Sequence, residues 1–178
     1  QQWERSELSF GDVNIADFVY MYKKMQFHNH QNLGFEQLTK PLSKNYDTEA
    51  TWLRLPENVV RQYRNLLQPD RNGYYVRNNH FEGLMFALKN AALMVTMTEG
   101  SDLGVAMSTN ALELSGSTSE EVSLYFYDRY VGGLGFAEKI YDLIPKVTEQ
   151  AIRMVSGCRC KNGCAVCIGN DRLDRNVI

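Results

Sequence analysis

A chain of 178 residues with 44% hydrophobic composition can bury one sizeable core, or one core plus a small appendage. Nineteen lysines and arginines against 21 acids give a net charge of −2, which excludes the overall basicity of a free-standing nucleic-acid binder and makes any nucleic-acid contact a local one. No apolar run approaches the ~20 residues of a membrane span, no secretory pattern opens the chain, and a start at Gln1-Gln2-Trp3-Glu4 with strand character under way reads as a piece of something longer.

In chain order, residues 3–8 and 13–27 predict two strands around a turn at Phe10-Gly11-Asp12, the second rich in Val, Ile, Tyr and Phe. His28-Asn29-His30 then places two imidazoles on one face of a strand. They are either a metal grip or, with no carboxylate or cysteine nearby to complete a site, polar residues at a strand end. Asn32-Leu33-Gly34 reads as a turn, and the stretch through Pro41 and Asn45 as loop. Strand character returns over residues 48–55 and stops at Pro56, where the spacing of Val59, Tyr63 and Leu66 predicts an amphipathic helix over 57–67. Arg61, Arg64, Arg71 and Arg77 form the densest basic run, interleaved with Tyr63, Tyr74 and Tyr75. Such a mixture either contacts phosphates and stacks on bases, or is a solvated helix face above core tyrosines.

Phe81, Leu84, Leu88, Ala91 and Val95 predict a central buried helix from about Asn79 to Met97, with Met85, Met94 and Met97 as core filler and His80 and Glu82 at its start. The Ser-, Thr- and Gly-rich stretch 98–120 reads as loop interrupted by a short strand near 102–107. Residues 121–127 alternate as a strand, followed by Asp128, the glycine-rich Gly132-Gly133-Leu134-Gly135 and a helix that Pro145 should kink or split. Glycines between a strand and a helix suit either phosphate on exposed N–H groups or close backbone packing. Asp128 is the only nucleus for catalysis, and it lacks a nucleophile or base close in sequence.

All four cysteines fall within ten residues, as Cys158-x-Cys160 and Cys164-x-x-Cys167, with Gly163 placed for a positive-φ turn before the second pair. Four thiolates from one short segment suit a closed, structural zinc site with no position open for water. The bland alternatives are four free thiols or two disulfides, the latter strained across one or two residues, and an iron–sulfur cluster is the main alternative cofactor. Arg159, Lys161 and Arg172 lie close in sequence and offset the charge of the thiolates. The pattern predicts an α+β fold: a mixed or antiparallel sheet with a few packed helices, a body over residues 1–157, and a zinc knuckle and tail over 158–178.

Tyr127-Asp128, Gly132-Gly133-x-Gly135, a helix and then Cys-x-Cys-x3-Cys-x2-Cys together resemble the C-terminal cysteine-rich zinc-binding domain of MrfA-type (YprA-like) DEAD/DEAH-box helicases. Gly11-Asp12-Val13, Tyr22-Lys23-Lys24, His30-x-Asn32-Leu33-Gly34, Thr48-x-Ala50-x-Trp52 and Asp102-Leu103-Gly104 support the resemblance, which covers nearly the whole chain. Ala165 and the order His80-Phe81-Glu82 depart from the family pattern. The resemblance implies a non-catalytic accessory domain in a cytoplasmic DNA-repair helicase, packed beside motor domains of the same polypeptide and helping to form a channel for single-stranded DNA. Arg61, Arg64, Arg71, Arg77 and the backbone at Gly132, Gly133 and Gly135 are the expected contacts. The alternative is a scaffold in an antiphage defence assembly, which neighbouring genes would reveal. The chain holds no G-x-x-x-x-G-K-[ST] loop and no Asp-Glu-x-His or Asp-Glu-Ala-Asp box, so ATP hydrolysis belongs elsewhere.

Overall fold

A computed structural model describes residues 6–64, 79–114, 117–160 and 163–169, with side chains left out of the description at 63–64, 79–80, 109–114 and 117–120. Four strands, β1 (Glu7–Met25), β2 (Asn32–Leu55), β3 (Leu103–Leu114) and β4 (Ser117–Asp128), form one antiparallel sheet in the order β1-β2-β4-β3. Three helices, α1 (Glu57–Arg64), α2 (Asn79–Thr96) and α3 (Phe136–Ser156), complete the described elements. None of the described helices is long and apolar enough to cross a membrane.

Strand alternation sorts the sheet into two faces. Thr51, Leu53 and Leu55 of β2 lie opposite Phe126, Leu124 and Val122 of β4, and this row joins Val60, Leu88, Ala91, Ile140 and Val147 of the helices in one core. All three helices therefore contribute to the core on one side of the sheet. Thr51 is buried in this apolar layer because its hydroxyl donates to the Ala137 carbonyl at 2.6 Å, tying β2 to the first turn of α3. The opposite face carries Trp52 stacked on Tyr125, with Gly11 of β1 against the Trp52 ring and Tyr127 lying over Gly104.

Several expectations change. β1 runs through Gly11 without a turn, since the residue opens space for Trp52 and every neighbour keeps its place in the ladder. The hairpin turns instead at residues 26–31, where the Gln26 N–H donates to the Gln31 carbonyl and His30 adopts φ 54°. His28 and His30 thus belong to a tight turn and not to one strand face. The stretch expected as loop after Gly34 is strand, with a register irregularity opposite Tyr20 that accommodates Pro41. The polar stretch after Thr98 is likewise a hairpin, β3 pairing with β4 from Leu103↔Asp128 to Leu114↔Ser117.

α1 is observed to Arg64, and the remainder of the expected 57–67 helix lies outside the described residues. α2 buries Ala87, Leu88, Ala91 and Ala92, but Met94 and Met97 are exposed, the latter at 85%, so only Met85 of the three methionines packs against the core. α3 continues through Pro145 as one helix, because its Ala137, Ile140, Val147 and Ala151 stripe is anchored on both sides of the proline.

Candidate metal centre

The end of α3 delivers the cysteines. Gly157 closes the helix by donating to the Arg153 carbonyl at 2.9 Å, and Cys158 follows at once. Gly163, at φ 84°, takes the left-handed turn expected before the second pair. The Cys164 carbonyl then accepts the N–H groups of Ile168 and Gly169, closing a small loop around the sulfurs.

Cys158, Cys160, Cys164 and Cys167 converge so that their sulfurs all lie within 4.8 Å of one another. The Sγ pairs 158–164, 160–167 and 164–167 are each separated by 3.6 Å. A tetrahedral ion bonded to sulfur at about 2.3 Å places its sulfurs about 3.8 Å apart, so the thiols already stand at the corners one zinc ion requires. The close spacing of all four sulfurs suits a single ion, since thiolates bound to different irons of a cluster stand farther apart.

The local electrostatics favour a metal. Backbone N–H groups of Cys167 and Val166 pull the Cys164 thiol down to about 6, which makes it a thiolate at neutral pH. Hydrogen bonding with Cys158, followed by burial, pushes Cys160 up to about 12, and burial raises Cys167. Four thiols this close cannot all ionise without a cation among them. Arg159 is exposed beside the site, whereas Lys161 and Arg172 lie outside the described residues.

The knuckle is seated on α2. A Cβ on Gly83 would meet Ile168 at 3.5 Å, and one on Gly169, at φ 90°, would run into the Phe86 ring. These two glycines let the knuckle lie flat against the helix. The sequence gives no warning of that seat, because Gly83 and Gly169 are far apart in the chain.

The glycine loop is a second organised feature. Asp128 is fully buried, and its carboxylate accepts from the N–H groups of Leu134 at 2.5 Å, Phe136 at 3.2 Å and Ala137 at 2.9 Å. It therefore caps α3 from the end of β4, supplying the acceptor that Gly135 at the N-cap lacks. Gly132 donates to the Asp47 carbonyl and Gly133 to the Tyr130 carbonyl, while the Glu49 carboxylate lies where a Cβ on Gly133 would stand. Gly132, Gly133 and Gly135 all have φ near 80° (78°, 78° and 81°), so their conformations serve a turn built around an internal anion. The sequence signal for this capping is an acid at a strand end a few residues before a glycine-rich helix start.

Of the expected nucleic-acid contacts, Arg61 is exposed on α1 and paired with Glu57. Arg64 has its backbone in the same helix with its side chain outside the described set, and Arg71 and Arg77 lie outside the described residues. The side chain of His80 is likewise outside it. Among the described residues, the cysteines are the only group of His, Cys, Asp and Glu arranged to hold a metal.

Residues 84–168 match the family model of the MrfA Zn-binding domain. The chain is 23% identical over 167 residues to the uncharacterized ATP-dependent helicase YprA of Bacillus subtilis strain 168, covering 94% of this chain and 20% of that protein. Its fold is similar to the crystal structure of the DUF1998 helicase MrfA bound to DNA, with a TM-score of 0.57 at 21% identity over 96% of this chain and 22% of that one. A structure of the same helicase bound to DNA and AMPPNP gives 0.53 at 20% identity, over 97% of this chain and 21% of that one. The chain thus spans about a fifth of the length of the proteins it resembles.

Proposed function

We propose, from the premise that residues 84–168 are an MrfA-type zinc-binding domain, that this chain is a non-catalytic, zinc-stabilised accessory domain of a superfamily 2 DEAD/DEAH-box DNA helicase. In this reading residues 1–178 act as one domain, a body to 157 with the knuckle and tail from 158. It packs beside motor domains of the same polypeptide and borders the path of a single DNA strand, in a cytoplasmic repair protein.

The observation that carries the reading is the four-sulfur centre seated on α2. With all four ligands supplied by the chain, zinc there holds structure and leaves no open position for a substrate or water. Asp128 supports the non-catalytic part, because a buried carboxylate spent on three backbone N–H groups has no free lone pair aimed at solvent. Arg61, Arg64, Arg71 and Arg77 are the proposed phosphate contacts. Gly132, Gly133 and Gly135 enter by the surface their turn presents, where Val131 and Leu134 are exposed.

The test uses a longer polypeptide that carries this domain. Replacing Cys164 and Cys167 together by Ser is expected to cut DNA unwinding at least about tenfold while nucleotide binding by the motors persists. Unwinding at the original rate would overturn the accessory role, and ATP hydrolysis by the purified 178-residue chain would overturn the absence of catalysis.

A further inference from the structure

Beyond Ala16 and Asn45 the β1–β2 ribbon leaves the rest of the sheet. β2 pairs with β4 only over residues 50–55, whereas its ladder with β1 continues out to Met25↔Asn32. At about 3.4 Å per residue, the ten positions from Ala16 to Met25 extend about 30 Å. Every residue of this arm is exposed except Gly34 and Leu38, which are half-buried.

The arm's two faces differ. Phe10 touches Tyr141 of α3, so the even-numbered residues of β1 look toward the helical side, and beyond the helices this row becomes Phe18, Tyr20, Tyr22 and Lys24. The three rings are 54%, 55% and 44% exposed. Phe18 and Tyr20 lie nearly parallel, with centroids 6.1 Å apart and 25° between planes. The Tyr22 hydroxyl donates to Glu36 at 2.8 Å, and Lys24 pairs with the same carboxylate, so the one acid of the aromatic row is neutralised in place. The other face carries Val19, Met21 and Met25, with Leu42 opposite Val19.

Charge is also segregated. Lys23, Lys24, Lys40 and Lys44 stand against Asp17 and Glu36 in residues 16–45, a net of +2 within a chain whose total is −2. A basic ribbon with a row of open rings has the composition of a single-strand platform, because any base presents a π-face for stacking and lysines meet phosphates at any sequence. The root of the arm adjoins the glycine loop, where the Gly132 N–H meets the Asp47 carbonyl and Tyr130 and Val131 are exposed.

We infer that the helical-side face of the arm binds single-stranded nucleic acid, with Phe18, Tyr20 and Tyr22 stacking on bases and Lys24 contacting phosphates. The inference rests on the strand-contact reading above and moves its main surface from the arginine run to a region that reading did not include.

The test is fluorescence anisotropy of a fluorescein-labelled oligothymidine titrated with the zinc-loaded 178-residue chain. Replacing Phe18, Tyr20 and Tyr22 together by Ala should weaken binding at least about tenfold. Lys24→Gln should flatten the salt dependence by about 0.7 in log–log slope. Met21→Ser with Leu42→Ser, on the opposite face, should leave affinity unchanged. Zinc content and melting temperature report that each variant folds, since the arm lies outside the core.

Unchanged affinity in the aromatic variant, with loss on Arg61→Ala, would overturn the arm while sparing the strand-contact reading. No binding by the wild-type chain would also overturn it, and the cysteine variants in the longer polypeptide would then decide that reading separately. Dimerisation of the chain that disappears with Met21→Ser and Leu42→Ser, without any nucleic-acid effect of the aromatic variant, would make the arm a protein interface instead.

Discussion

The knuckle and the arm are fixed in opposite ways. The knuckle uses a few residues after α3, held by four sulfurs around one point and by two glycines against α2. The arm uses residues 16–45, held almost entirely by its own backbone ladder and presenting its apolar side chains to the outside. A short segment can be rigid when a metal replaces the core it cannot build. A long two-stranded ribbon gains regular geometry from hydrogen bonds alone but little stability from burial. The first therefore serves architecture, and the second has surface to spare for a partner.

Perturbations should separate the two, with the largest effect at the knuckle. Chelation of the metal, or Cys164→Ser, should cost on the order of 5 kcal/mol and lower the melting temperature by about 10–20 °C. A scan with and without chelator, alongside elemental analysis giving one zinc per chain, checks this. An unchanged transition would remove the knuckle from the structural account.

Asp128→Asn comes next. One acceptor oxygen becomes an N–H₂ group facing backbone N–H donors inside the body, at a cost of about 3 kcal/mol or 6–12 °C. Loss of that size without loss of zinc would show that the α3 cap and the knuckle are independent supports. Gly169→Ala should cost about 2 kcal/mol, from a side chain at positive φ pressed on Phe86, and should weaken metal retention as well. Competition with a chromogenic chelator measures the second effect. The smallest shift belongs to the arm, where Phe18→Ala, Tyr20→Ala and Tyr22→Ala together should change stability by less than about 1 kcal/mol because the rings leave little water behind on folding. A drop comparable to that of Asp128→Asn would mean that the arm is part of the core after all.

Legibility followed the range of the interaction. The cysteine spacing, the turn at Gly163 and the Phe81, Leu88, Ala91 and Val95 stripe of α2 are local patterns, and the structure places them as expected, whereas Leu84 of the same stripe is exposed. The polar stretch 34–45 concealed a strand, because a strand exposed on both faces shows no apolar alternation and is specified by its pairing partner, and over 98–120 only the part near 102–107 was legible, the rest of that hairpin being specified by its pairing. Pro145 also misled, since tertiary anchoring on each side outweighed the one backbone bond it removes. Asp128 was visible as a singular acid, but its three N–H partners emerge only when the glycine loop folds back over it.

By itself, then, the sequence determined the four-thiol cluster, since two closely spaced cysteine pairs flank a turn short enough to aim both at one point, and it determined that α2 and α3 carry a core face. Only the tertiary structure decided where the knuckle sits, what Asp128 does, and that residues 16–45 leave the body as an open ribbon. Those outcomes depend on contacts between segments distant in the chain, and no local pattern encodes the free surface that remains once such contacts have formed.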